Sequence, residues 1–301
     1  MKISRVSTVM GGVLVAALVP VPASAQIAAA TPPAQTAAAQ PADPNPGSMT
    51  LTGSFDGVST YMFRGLRQNS TGIALWPVAD LGIGVYSGDG SLKSASVNLG
   101  TWNSLHTGDT GLDSASGKLW YESDFYTTLG LGFGGGTSLA TTYTAYTSPN
   151  NGFTTVKEIA FKLGVDDTAY LGKAALKPYG LIAIEFDTSP GVGQADGGTK
   201  AGRYLELGVS PGYAGPRASL TVPLKLGMSL GNYYELDGVD NKFGYFSVAG
   251  LATVPLGPTT SFGAWNLHGG VEFQALGDTT KAFNGGEGHK VIASVGIGFT
   301  Y

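Results

Sequence analysis

Three histidines, His106, His268 and His289, are the only imidazoles in a chain that has no cysteine. General-base chemistry near neutral pH would most simply use one of them. His106 and His289 fall near the ends of extended segments, whereas His268 sits inside one. A serine hydrolase needs a nucleophile within hydrogen-bond reach of such a base and a third residue to orient it. The same-side neighbours of His268 are Asn266, Gly270 and Glu272, and no serine is among them. His268 therefore reads as a hydrogen-bonding wall residue. GLGFGGGT, residues 130–137, lacks the Lys-Ser/Thr of a phosphate loop and reads as a strand end entering a turn. DGVDN, residues 237–241, has carboxylates without the spacing of a calcium loop. No motif asks for a cofactor or a metal.

The remaining chemistry lies in isolated charges set into otherwise apolar stretches. By parity, Arg64, Asp80, Lys118, Glu122, Asp124, Lys162, Glu185, Arg203, Glu206, Lys225, His268 and Glu272 share the polar side of their segments. Both signs occur in similar numbers. A wall of this kind would discriminate weakly by charge, and opposite charges would brace it across whatever space it encloses. Trp76, Trp102, Trp120 and Tyr126 would narrow that space.

These positions are held by segments with a strict period of two. In KLWYESDFYTTLGLGF, residues 118–133, Leu119, Tyr121, Phe125, Leu129, Leu131 and Phe133 alternate with Lys118, Glu122, Asp124, Thr128, Gly130 and Gly132. WNLHGGVEFQA, ASLTVPLKLGMSL and the terminal VIASVGIGFTY repeat the pattern. Period two is the mark of a strand with two unlike faces. The runs exceed the usual five or six residues of a soluble strand and reach the nine to eleven that a tilted strand needs to cross a bilayer. Their polar side is small and glycine-rich, which suits the concave inside of a closed barrel whose apolar side meets lipid.

Twelve such segments are expected: 50–64, 73–86, 92–103, 118–133, 137–147, 154–166, 174–186, 202–213, 218–231, 242–255, 262–276 and 289–301. Longer polar connections alternate with mostly shorter ones, which places both chain ends on the short-turn rim. The expected fold is all-β: a transmembrane antiparallel up-and-down β-barrel of about twelve strands, of the outer-membrane type. Ten or fourteen strands stay open, because Pro77, Pro178, Pro211 and Pro223 fall inside proposed strands and each removes a ladder hydrogen bond. Tyr61, Phe63, Tyr121 and Phe273 are expected in a lipid-facing girdle at one rim, and Phe133, Trp265, Phe299 and Tyr301 in one at the other.

Residues 1–25 have the form of a secretory signal peptide: Lys2 and Arg5, an apolar run from Val9 to Val21, and Ala23 and Ala25 before the expected cut. Residues 26–48, rich in Ala and Pro with Asp43 as their one charge, read as a disordered tether. The barrel takes 49–301. Only 13% of residues are charged, and the formal charge of −4 becomes −6 once Lys2 and Arg5 depart, which disfavours nucleic acid as a partner.

VSTYMFRGLRQNSTGIALWP, residues 58–77, resembles the opening strand of the TorF-like porins, whose pattern is DYxFRGxSQ. Tyr61, Phe63, Arg64, Gly65 and Gln68 match, while Thr60 stands for the usual Asp and Arg67 for the usual Ser. WYESDFYTTLGLGF is similar to the family's acidic-aromatic strand. The resemblance spans roughly residues 50–301 and implies a porin in the outer membrane of a Gram-negative bacterium. The ending Phe299-Thr300-Tyr301 resembles the signal read by the barrel-assembly machinery, although Phe is the commoner last residue. On physical grounds alone, Tyr61 and Phe63 would face lipid, Arg64 would point into the pore mouth and Gly65 would allow the turn. A plain strand end with a snorkelling Arg fits the same residues.

The expected function is passive diffusion of small polar solutes, without catalysis. The alternatives are a lipid hydrolase using His268, and a non-conducting barrel that binds a partner through its outer loops.

Overall fold

In the computed structural model, residues 48–110, 119–186, 200–215 and 217–301 are described. The signal peptide, all of the tether but Ser48, and the predicted wall residue Lys118 lie outside the described residues.

The chain forms a closed barrel of twelve antiparallel strands. In order these are β1 (Met49–Val58), β2 (Ala74–Ser87), β3 (Leu92–His106), β4 (Trp120–Phe133), β5 (Thr137–Thr147) and β6 (Val156–Val165), then β7 (Tyr179–Glu185), β8 (Arg203–Val209, continued by Gly212–Ala214), β9 (Ser219–Thr221 and Leu224–Gly231), β10 (Phe243–Pro255), β11 (Ala264–Leu276) and β12 (His289–Thr300). Each pairs with its sequence neighbour, and β1 closes the ring on β12 from Thr52↔Thr300 to Val58↔Ser294. Closure leaves no unpaired sheet edge.

The prolines are absorbed by interruptions. Ser210-Pro211 divides β8 and Val222-Pro223 divides β9, while Pro178 stands just before β7. Pro77 stays inside β2, and the β2–β3 ladder is broken between Leu75 and Val78. The connection between β6 and β7 carries a short helix, Thr168–Leu171, so β7 begins five residues later than expected.

Alternation separates the two faces. Phe125 is 60% exposed and Val295 59%, whereas Glu122 and Asp124 are fully buried. Leu51, Phe55, Leu99, Phe161, Ile182, Leu207, Leu220, Phe246, Leu267 and Ile297 continue the apolar exterior around the ring. A water-soluble monomer rarely exposes so continuous an apolar surface. This exterior is the lipid-facing belt of a transmembrane barrel. Trp265, its ring centre 5.3 Å from that of Phe299 and tilted by 31°, and Tyr301 form an aromatic band at the rim where β1 begins and β12 ends.

The opposite rim departs from expectation. The first strand stops at Val58, and residues 59–73 turn into the lumen instead of continuing outward. Within them Met62–Phe63 pairs with Leu66–Arg67 across Arg64-Gly65. Both turn residues have positive φ, 42° and 85°, the signature of the two-residue turn whose twist matches a hairpin. A second short hairpin, Glu235–Leu236 with Val239–Asp240 between β9 and β10, turns on Asp237-Gly238 in the same way. The first hairpin fills the half of the barrel farthest from the termini. Tyr61, Met62, Phe63 and Leu66 are all buried there, among Trp76, Trp102, Tyr146, Tyr204, Tyr233 and Tyr234.

Candidate functional site: a plugged, acid-rich lumen

At the centre of the plug is Arg64. Its Nη1 and Nη2 donate to Glu158 Oε2 and Oε1 at 2.9 and 3.1 Å, a two-pronged pair reaching from the first loop to β6. Nη1 also donates to Tyr233 Oη at 2.8 Å, and the guanidinium lies 3.9 Å from the centre of the Tyr204 ring. Burial opposes the charge on Arg64, but the Glu158 carboxylate overrides it and holds the guanidinium well above its ordinary pKa. Around it the backbone is clamped. Tyr234 Oη donates to Arg64 O at 2.9 Å. Asn284, after the short helix Asp278–Phe283, donates to Gly65 O at 2.7 Å and accepts from Arg67 N at 2.9 Å. Tyr121 Oη donates to Gln68 Oε1 at 2.7 Å, and Asn69 Oδ1 accepts from Tyr61 N at 2.6 Å.

Below Arg64 the wall continues as a column of polar contacts. Tyr179, Tyr204 and Tyr245 all donate to Glu206, at 2.7, 2.8 and 2.9 Å. Lys162 Nζ lies 4.2 Å from the centre of the Tyr179 ring. Lys225 Nζ is 4.0 Å from Glu272 Oε1, and Gln274 donates to the same carboxylate. Between neighbouring strands, Asn98 donates to Asp80 at 2.6 Å, and Glu185 accepts from Gly202 N at 2.7 Å. Toward the terminal rim the lining becomes small, with Thr128, Thr142, Ser96, Gly130 and Gly298.

His268 meets Asp56 Oδ1 through Nε2 at 2.5 Å and Asn266 Oδ1 through Nδ1 at 2.8 Å. Asp56 also accepts from Ser54 Oγ at 2.6 Å. The contact bridges β1 and β11 over the intervening β12, and Gly296 makes room for it: a Cβ there would collide with Asp56 Oδ1. Gly296→Ala should therefore part the two side chains and cost about 1–3 kcal/mol, measured as a lower urea midpoint for the refolded barrel. An unchanged midpoint would show that the pair is not a brace. A serine–histidine contact does occur elsewhere, between Ser104 Oγ and His106 Nε2 at 2.9 Å. Both residues are buried beneath the plug, and His106 Nδ1 has no partner to orient the ring.

The structure thus places Arg64, Asp80, Glu122, Asp124, Lys162, Glu185, Glu206, Lys225, His268 and Glu272 inside the barrel. Several expectations are corrected. Arg203 is exposed on the outer face, because Tyr204 and Glu206 hold the inward parity of β8. Tyr61 and Phe63 do not face lipid, since the strand ends before them. Tyr121 also turns inward and Trp120 outward: Ser104 pairs Glu122 and Leu105 pairs Trp120, so Tyr121 is the extra residue of a bulge. Glu158, which the sequence reading passed over, is the principal anchor of the plug. Nor are the signs balanced. Among the described residues, inward carboxylates at positions 56, 80, 122, 124, 158, 185, 206 and 272 outnumber the cations Arg64, Lys162 and Lys225, with Arg67 on the plug turned toward Glu287 and His268 beside Asp56.

An apolar belt around a closed, polar, internally plugged lumen defines an outer-membrane β-barrel of the porin type. Among solved structures, an outer-membrane channel from Pseudomonas putida F1 superposes with a TM-score of 0.51 at 12% identity, over 88% of this chain and all (100%) of that one. The NanC porin (TM-score 0.41, 10% identity, 83% and 98% of the two chains) and outer membrane phospholipase A from Escherichia coli (0.41, 11%, 82% and 89%) are more distant in shape. No family model and no curated sequence matches the chain.

Proposed function

We propose that the protein is a channel for small polar solutes in the outer membrane of a Gram-negative bacterium, akin to the TorF-like porins and biased toward cations. Both termini then lie in the periplasm, and Phe299-Thr300-Tyr301 presents the last strand to the assembly machinery. The observation that carries this reading is the contrast of faces: an apolar outside around a wall of carboxylates, amides and hydroxyls. A surplus of fixed negative charge along a narrow aqueous path raises the local concentration of cations and repels anions. His268, with both ring nitrogens engaged by Asp56 and Asn266, serves the wall and not a nucleophile. Purified protein in a planar bilayer under a salt gradient should give discrete conductance steps and a reversal potential on the cation-selective side. A folded barrel that passes no current would overturn the channel, and an anion-selective potential would overturn the charge preference alone.

A further inference from the structure

Glu122 and Asp124 stand two residues apart on the inner face of β4, both fully buried. None of their four carboxylate oxygens meets a partner at hydrogen-bonding geometry. The cations of the wall and plug are committed elsewhere: Arg64 to Glu158, Arg67 to Glu287, Lys225 to Glu272, and Lys162 over Tyr179. Two bare carboxylates side by side and away from water are strongly disfavoured, so a neutralising species belongs between them.

A second observation comes from a different element. The Tyr61 hydroxyl, on the plug, is fully buried and also has no hydrogen-bond partner. Its ring packs 5.3 Å from that of Trp102, the cross-strand partner of Asp124, which sets the hydroxyl beside the two carboxylates. Two carboxylates and a phenol oxygen thus converge, with His106, its ring 6.1 Å from that of Tyr61, as the neighbouring imidazole. Trp76 and Trp102 flank the Tyr61 ring at 5.4 and 5.3 Å.

We propose that Glu122 and Asp124, closed over by Tyr61, hold a hard divalent cation of the Ca2+ class at the base of the plug. The donors are all oxygen, which suits a hard cation and not zinc or copper. Among the described residues no group of three or more His, Cys, Asp or Glu side chains is gathered, so water would have to complete the shell. The two carboxylates balance a double positive charge. Binding would tie β4 to the inserted hairpin and so help to hold the plug in place. The site depends on the fold and not on conduction, so it can fail or stand independently of the channel.

The test is a Tb3+ titration of refolded, EDTA-treated full-length protein in detergent, excited in the tyrosine and tryptophan band. Tyr61, Trp76 and Trp102 should sensitise a saturable emission, and Ca2+ should displace it. Glu122→Gln/Asp124→Asn, nearly isosteric and relieved of buried charge, should fold and lose the emission. Tyr61→Phe should keep it with about tenfold weaker affinity, the usual cost of removing a supporting group at a metal site. No saturable emission in the parent protein would overturn the site and leave a shared proton as the neutralising species. Emission unchanged in the folded double variant would place the ion elsewhere. Should the double variant fail to fold, Tyr61→Phe decides: parental affinity overturns the proposal and weakened affinity upholds it.

Discussion

Arg64→Ala should unlock the plug. The expected result is a several-fold rise in single-channel conductance, with long-lived open levels that the parent protein visits rarely. Removing the guanidinium takes away a two-pronged pair, a hydrogen bond to Tyr233 and the contact with Tyr204 in one step. It leaves Glu158 buried, with only Tyr146 Oη, at 3.2 Å, still donating to it. Stranding one partner of a buried pair typically costs about 3–5 kcal/mol. That cost falls on the docking of residues 59–73 and not on the strand ladder, so it acts on the docked-to-undocked ratio. At 1.4 kcal/mol per factor of ten, it shifts that ratio by more than about a hundredfold. Glu158→Gln should act in the same direction and more weakly, because the amide still accepts a hydrogen bond. The double variant should recover part of the loss, since no charge is then left alone. Parental conductance in Arg64→Ala would show that the ion pair does not control the opening.

The same residue shows where sequence reasoning succeeds and where it stops. Ten of the twelve strands lie within three residues of their expected bounds at both ends. Their length and alternation answer to one constraint, crossing a bilayer with every backbone group paired. Parity then placed most wall residues correctly, because a strand that turns one residue inward turns every second residue inward. It failed where the ladder is irregular. A single extra residue at Tyr121 exchanges the faces of Tyr121 and Trp120, and nothing local in WYESD marks the bulge. Arg203 was misplaced for a simpler reason: parity counted from Glu206 already sends it outward.

The plug was legible in principle. Tyr61-Met62-Phe63 is three large apolar residues in a row, which a strand with one wet face cannot accommodate, and Tyr233-Tyr234 breaks alternation in the same way. Both runs are buried on all sides because both lie inside the barrel. What the sequence could not convey is the pairing of Arg64 with Glu158, ninety-four positions away. That contact depends on the curvature of the closed ring, which brings β6 across from the first loop. The expectation of balanced charge failed for a related reason: Arg203, which faces outward, and Lys118, outside the described residues, were counted with the wall, and Glu158 was not.

Lys225 tests that revised electrostatics from the opposite side. It is buried between carboxylates, 4.0 Å from Glu272 and near enough to Glu206 to share its field. Lys225→Gln should raise the cation-to-anion permeability ratio, because it deletes one of the few inward positive charges while every carboxylate remains. It should also lower the thermal midpoint, since Glu272 loses the one cationic partner it has among the described residues, a loss of about 3–5 kcal/mol for a buried charge left unpaired. Glu272→Gln should move selectivity the other way and would likewise be destabilising, because it strands the ammonium. The two variants therefore agree in stability and oppose each other in selectivity. A general loosening of the barrel would shift both permeability ratios in one direction. Opposed shifts can come only from fixed charge acting on the ions that pass it, so the sign of the difference separates an electrostatic lumen from a merely disturbed one.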